Sequence, residues 1–187
     1  NVTLYNLLFV ANFAAIASVF TVSGTALASD FTVSNCEFRD TTSILNFVTI
    51  ITDNATAQNL AGLTFEHNKI FGLGTSAATT PIKLTSAAHN RVSVTDNYIV
   101  LAILDNTSAV IAAGANVLLQ LTIARNIVFR PNTDTATGGL LLTTSSTTDT
   151  GMVYDNKMKT VDVAGMIIAT TLSKLGFTEN YISGTAD

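Results

Sequence analysis

Charge is scarce in this sequence of 187 residues: only 12% are Asp, Glu, Lys or Arg, and the formal net charge is −4. Nine cations against thirteen acids predict no nucleic-acid partner, because phosphate binding favours an excess of Lys and Arg. Tryptophan is absent and glycine contributes only 11 residues, which excludes a collagen-like chain. The 48% hydrophobic content excludes a disordered chain and is enough for one well-buried core.

Cysteine occurs once, at Cys36, so an intrachain disulfide is excluded. Cys36 stands in an apolar stretch, and we interpret it as a small buried side chain rather than a nucleophile. Residues 7–22 imitate the apolar part of a signal peptide, but Asn12 and Ser18 interrupt them. The segment is also too short to span a bilayer and fits the repeat described next, so the sequence predicts no membrane insertion.

Threonine (30 residues) and asparagine (16 residues) are abundant, and they belong to an internal repeat. The motif reads apolar, any, apolar, any, polar, Asn, any, apolar, as in LTFEHNKI, VSVTDNYI and LTIARNIV. Copies begin at residues 63, 92, 121, 151 and 175, and degenerate copies with Leu7 and Cys36 in the Asn position begin at residues 2 and 31. A second apolar segment follows each of the first six copies at a similar distance.

Apolar residues alternate with polar ones in the motif, which is typical of a strand, and no helical periodicity occurs. A period near 29 residues holds two or three short strands, and stacked repeats pair equivalent strands in parallel. The sequence therefore predicts an all-β fold, a right-handed single-stranded parallel β-helix of about six to seven coils. We expect a single domain over residues 1–187 that is a fragment of a longer chain.

One asparagine column supports this stacking. The amide position is the same in five of the seven copies, and a turn tolerates Asn because its side chain bonds nearby backbone groups. Identical turns stacked about 4.8 Å apart also allow each amide to bond the next one. We therefore predict a structural ladder inside the coil, formed by Asn68, Asn97, Asn126, Asn156 and Asn180.

The motif resembles the repeats of right-handed parallel β-helix proteins of the pectate-lyase-like superfamily. The Thr- and Ala-rich style, as in TATGGLLLTTSSTTDTGMVYDN, resembles β-helix appendage proteins of tailed bacteriophages and uncultured viruses. The resemblance implies a structural shaft or appendage of a virion, such as a phage tail fibre or tailspike. Such a protein contributes to host attachment, is a homo-oligomer (most commonly a trimer), binds a host surface glycan and is located in the virion or outside the cell.

Two other functions stay open, because this fold carries many. One is a polysaccharide-cleaving β-helix enzyme of the tailspike depolymerase type, and the other is a bacterial surface adhesin or filament subunit. Glycan cleavage needs carboxylates roughly 5 to 9.5 Å apart in one groove. The candidates are Glu66, Asp96 and Asp155, which fall in neighbouring positions when the repeats are aligned. Arg125 interrupts their column, which is typical of solvated turns and favours a protein that is not an enzyme.

No cofactor is predicted. The acids form no compact cluster of the kind that Ca²⁺ requires, and His67 and His89 lie at different positions of the repeat. The outward strand positions hold mostly hydroxyl side chains, among them Thr3, Thr32 and Thr64. These indicate either an ordinary solvated sheet face or a flat surface that meets another copy of the chain or a glycan.

Overall fold

A computed structural model describes most of the chain. The described residues are 1–22, 28–42, 44–53, 60–72, 80–85, 89–101, 110–114, 118–133, 139–143, 150–161, 166–168 and 175–183. They form strands and turns, and none of them is helical.

The strands form three parallel sheets. Sheet 1 contains β1 (Val2–Tyr5), β4 (Ala28–Ser34), β7 (Leu60–Glu66), β11 (Ser93–Thr95), β15 (Leu121–Ala124), β18 (Gly151–Tyr154) and β21 (Leu175–Thr178), with the short strands β10 (His89–Asn90) and β14 (Leu118–Leu119). Sheet 2 contains β2 (Leu8–Ala11), β5 (Glu37–Asp40), β8 (Lys69–Gly72), β12 (Tyr98–Leu101), β16 (Ile127–Thr133), β19 (Lys157–Val161) and β22 (Tyr181–Ser183). Sheet 3 contains β3 (Phe20–Val22), β6 (Ile51–Asp53), β9 (Ile82–Leu84), β13 (Ile111–Gly114), β17 (Leu140–Thr143) and β20 (Met166–Ile168).

Each strand pairs with its equivalent one repeat away, which confirms the predicted all-β stacked-coil solenoid and its period near 29 residues. In sheet 1, Val94 pairs with Phe65 on one side and with Ile123 on the other. The first half of each motif forms a strand of sheet 1, and the residues after the Asn position form a strand of sheet 2. The second apolar segment supplies sheet 3. Parallel crossovers are right-handed in nearly all known cases, so right-handed coiling stays our expectation.

Alternation places every second side chain inside the coil, where it stacks on its equivalents along the axis. Burying one such side chain contributes about 1.5–3 kcal/mol. The stacks on sheets 1, 2 and 3 include Val33, Phe65, Val94, Ile123 and Val153; Phe38, Ile70, Ile99, Val128 and Met158; and Ile51, Ile82, Ile111 and Leu140. A buried aromatic cluster adds to the core near the first coils, where the Phe38 ring lies 4.8 Å from that of Phe9 and 6.1 Å from that of Phe65.

The number of regular coils is lower than the six to seven predicted. Sheets 1 and 2 each extend over seven stacked strands, but only about four turns are regular. Four consecutive repeats have a fully buried Asn in the motif: Asn68, Asn97, Asn126 and Asn156. The first two coils depart from this pattern because Leu7 and Cys36 take the Asn position.

Candidate functional site

The turn between sheets 1 and 2 places a polar side chain at the same outward position in every repeat. We call this column the turn row; it consists of Asn6, Asn35, His67, Asp96, Arg125, Asp155 and Glu179. All seven have φ between 51° and 58°, the left-handed region. A residue with a Cβ loses roughly 1–2 kcal/mol in that conformation. The strain recurs in every coil, so the stacked structure on either side of the turn has to offset it.

In five of the seven repeats the residue after the turn-row residue is an Asn, and its side chain supplies that compensation. Asn97 donates from Nδ2 to Asn126 Oδ1 at 2.9 Å and to the carbonyl of Phe65 at 2.9 Å. Its Oδ1 accepts from the backbone N–H and the Nδ2 of Asn68, at 3.0 and 3.2 Å. Every polar atom of this buried side chain therefore has a partner in an adjacent coil, and no desolvation penalty remains.

The same pattern continues along the predicted ladder. Asn126 donates from Nδ2 to Asn156 Oδ1 at 3.0 Å, and Asn156 donates in turn to Asn180 Oδ1 at 2.8 Å. At the other end, the backbone N–H of Cys36 donates to Asn68 Oδ1 at 2.9 Å. The Cys36 thiol is buried and donates to the carbonyl of Ser34, consistent with a packing role. The aligned amides polarise one another, which strengthens each hydrogen bond.

The three candidate carboxylates lie close to this turn but do not form one group. Glu66 ends β7 and pairs with Thr95, so it lies one residue before the turn row. Asp96 and Asp155 both belong to the turn row, with Arg125 between them. Two coil spacings separate these two aspartates, which is about 9–10 Å along the axis. Glu66 and Asp155 are three coils apart, about 14 Å, which is too far for a catalytic pair.

Arg125 binds Asp96 through two hydrogen bonds. Its Nε donates to Asp96 Oδ1 and its Nη2 to Asp96 Oδ2, both at 2.7 Å. Arg125 Nη1 also donates to the hydroxyl of Tyr154 at 3.0 Å, so the side chain links three coils. The hydrogen bonds from Arg125 lower the pKa of Asp96 below its usual range, and Asp96 raises the pKa of the guanidinium. A carboxylate held ionised in this way is a poor general acid.

Replacing Arg125 by Gln is expected to raise the pKa of Asp96 towards its ordinary value. A carboxyl with a lowered folded-state pKa stabilises the protein above its unfolded-state pKa, and that stability is lost as pH falls through the folded-state value. Because the pair is largely exposed, the loss of unfolding free energy near neutral pH should be under about 1 kcal/mol. Carboxyl NMR titration measures the pKa directly. Asp155→Asn is the control, and a pKa of Asp96 that moves equally in both variants would contradict the assignment.

A polar cleft of about 520 Å³ opens beside the first three repeats. Its lining combines both charge signs with amides: Asn6, Asn35, Glu37, Arg39, His67 and Lys69, together with Leu7, Leu8 and Cys36. The carboxylate of Glu37 and the guanidinium of Arg39 form an ion pair in the wall. None of the three candidate carboxylates lines the cleft, although Glu66 Oε2 lies 4.0 Å from His67 Nδ1.

The outer face of sheet 2 combines exposed apolar side chains with cations. We call it the basic-apolar face; its charged members are Arg39, Lys69, Lys157, Lys159 and Glu37, and its large apolar members are Leu8, Val10, Phe71, Tyr98, Ile127, Phe129 and Tyr181. Arg39 lies over the ring of Phe71, with its Cζ 5.7 Å from the centroid. Lys159 Nζ lies 5.5 Å from the centroid of Phe129. Sequence reasoning missed this surface, although the positions one and three residues after the Asn position reveal it.

No protein-family model, curated protein or solved structure matches the chain. Among the described residues, no three His, Cys, Asp or Glu side chains are grouped so as to hold a metal ion. That part of the chain also contains no helix long and apolar enough to cross a membrane. The resemblance to pectate-lyase-like proteins therefore rests on the repeat motif alone, and the resemblance to viral β-helix proteins on the Thr- and Ala-rich composition.

Proposed function

We propose that this protein is a structural shaft or appendage of a virion, of the phage fibre or spike kind, that contributes to host attachment. The observation that supports this role most directly is the ladder of buried asparagines, in which each amide joins the coil before it to the coil after it. A part that transmits force needs rigidity along its axis. The ladder provides it, because bending would break hydrogen bonds that no water can replace.

The surface chemistry also fits a shaft. Only 12% of residues are charged, so neighbouring chains can pack closely with few ions to desolvate. We further propose that the chains assemble as a homo-oligomer, with a trimer as the expected form. The proposed location is the virion or the outside of the cell. A host surface glycan is the proposed attachment target.

A polysaccharide-cleaving enzyme is the second candidate, and the polar cleft is the observation that favours it. The cleft offers an acid, cations and amides to a glycan, whereas on the turn row Arg125 holds Asp96 ionised and so unsuited to act as a general acid. If the protein cleaves glycans, reducing ends should appear when it is incubated with bacterial surface polysaccharides. We expect none to be released.

Electron microscopy of virus particles tests the shaft proposal. Gold-labelled antibodies raised against residues 1–187 should bind fibres or spikes on particles purified from the source of the sequence. Antibodies that have been preabsorbed with the purified protein are the control and should leave the particles unlabelled. Labelling of the host cell surface in the absence of virus would instead indicate an adhesin or filament subunit and would overturn the viral assignment.

A further inference from the structure

The basic-apolar face is a positive surface on an acidic protein. It carries four cations and one acid, although the chain has a net charge of −4. Subtracting these residues from the chain's nine cations and thirteen acids leaves five cations and twelve acids, a net charge of −7. Complementary electrostatics therefore favour contact between this face and an acidic surface of another copy.

The acidic counterpart is the turn row together with Glu66. Asp96 and Arg125 neutralise each other in this row, which leaves Glu66, Asp155 and Glu179 as its excess charge. Within the described residues, Asp155 and Glu179 have no ion-pair partner. The turn row borders the outer face of sheet 1, whose partly exposed hydroxyls at Thr32, Thr64, Ser93 and Thr122 add no charge that a contact would have to desolvate.

Opposite charges occur at the same level along the solenoid axis. Lys69 and Glu66 belong to one repeat, and Lys157 and Asp155 belong to another. In the part of the chain that the structure describes, neither lysine is paired within its own chain. A second copy that runs in the same direction without axial shift would therefore bring each lysine level with an acid.

An apolar contact occurs at the same level. The outer face of sheet 2 has a groove of about 340 Å³ whose apolar lining includes Ile127, Phe129 and Tyr181. Met152 projects from sheet 1 of the same repeat as Lys157 and is 43% exposed. A methionine side chain adapts to irregular grooves, so Met152 of one copy is suited to this groove of another.

We propose that the basic-apolar face of one copy packs in parallel, without axial shift, against the turn row and sheet 1 face of a second copy. The two surfaces differ, so the contact is heterologous and a rotation without translation closes it into a ring. The contact covers Tyr98, Ile127 and Tyr181, which are 42%, 43% and 64% exposed in the single chain. This inference rests on the proposed shaft, in which chains lie side by side.

Charge reversal tests the contact, because it can be made on either surface separately. One variant carries Lys157→Glu and Lys159→Glu, and the other carries Asp155→Lys and Glu179→Lys. All four positions point outwards, and Arg125 shows that the turn row accepts a long cation, so both variants should keep the wild-type circular dichroism spectrum. Analytical ultracentrifugation in low salt should show assembled wild type and at least tenfold weaker association of each variant alone.

A variant that carries all four reversals in one chain should assemble again, because each reversed face then meets a reversed face of the next copy, whatever the number of copies in the ring. A double variant that assembles as well as the wild type, or a fourfold variant that stays monomeric, would overturn the contact. So would a wild type that stays monomeric and instead binds an acidic polysaccharide such as polygalacturonate through Lys157 and Lys159. The shaft proposal is tested separately. Assembly that persists in both double variants would reject only the contact between these two faces, whereas virus particles that the antibodies leave unlabelled would reject the shaft.

Discussion

Replacing Asn97 by Asp is expected to lower the free energy of unfolding by about 3 kcal/mol or more at pH 7. The substitution keeps the shape of the side chain and replaces its amide donor by an acceptor. The new oxygen would face the carbonyl of Phe65 and Oδ1 of Asn126, which both accept hydrogen bonds from the amide at 2.9 Å. Asn97 is only 1% exposed, so water cannot relieve the repulsion.

The loss should depend on pH in a defined direction. Burial disfavours the ionised form, so the pKa of the introduced carboxyl should rise above the unfolded-state value of about 3.9. The protonated carboxyl is then favoured in the folded state, and the destabilisation relative to wild type should grow as pH rises above 4. Guanidinium unfolding of both proteins at pH 4 and pH 7 measures this difference.

Asn35 provides the matched control, because it lies in the equivalent turn of another repeat but is exposed. Among the described residues, its amide donates to the hydroxyl of the neighbouring Ser34 and to no other group. Asp tolerates the left-handed conformation nearly as well as Asn, so Asn35→Asp should change the unfolding free energy by less than about 0.5 kcal/mol. If both variants lose the same stability, the ladder does not hold the coils together.

Replacing Phe38 by Ala is expected to lower the free energy of unfolding by about 4 kcal/mol. Phe38 is fully buried, and its ring packs against those of Phe9, Phe20, Phe47 and Phe65. The truncation removes these aromatic contacts and leaves a cavity that neighbouring coils, held by their hydrogen bonds, cannot collapse to fill. Chemical denaturation of the variant and the wild type gives the difference.

Phe13 is the control for this truncation, because its side chain is 74% exposed. Phe13→Ala should change stability by less than about 0.5 kcal/mol. Phe38→Leu retains most of the buried volume and should lose less than half as much stability as Phe38→Ala. The change in its free energy of unfolding can therefore be measured even if the alanine variant does not fold. A Phe38→Ala protein as stable as the Phe13→Ala protein would show that the aromatic cluster is not part of the core.

The strands of sheets 1 and 2 could be predicted in detail because their signals are local. Alternation marks which side chains point inwards, and the recurring Asn at residues 68, 97 and 126 sets both the turn and the register. Sheet 3 was harder, since its segments are short and lack a marker residue. In the second repeat, the second apolar segment that the sequence shows comprises residues 47–51, and it overlaps β6 only at its last residue, because the strand that pairs with β3 and β9 is Ile51–Asp53.

The candidate site could be predicted less well, because its chemistry depends on side chains of different repeats. Glu66, Asp96 and Asp155 look alike in an alignment of the repeats. The side chain between the two aspartates decides their behaviour, since Arg125 takes both oxygens of Asp96 at 2.7 Å. Alignment shows that Arg125 is in the column, but not which neighbour it binds.

The sequence by itself determined the repeat, its period, the inward positions and the asparagine column, because each of these is a regularity that recurs about every 29 residues. Only the tertiary structure decided how the irregular outward positions combine. Lys69, Tyr98, Ile127 and Lys157 follow no single residue type along the column, and they become one surface because parallel pairing places residues from successive repeats side by side. Inward positions must match their neighbours to fill a common core, whereas outward positions are free to differ. The surface that the outward residues form can therefore be recognised only when the coils are stacked.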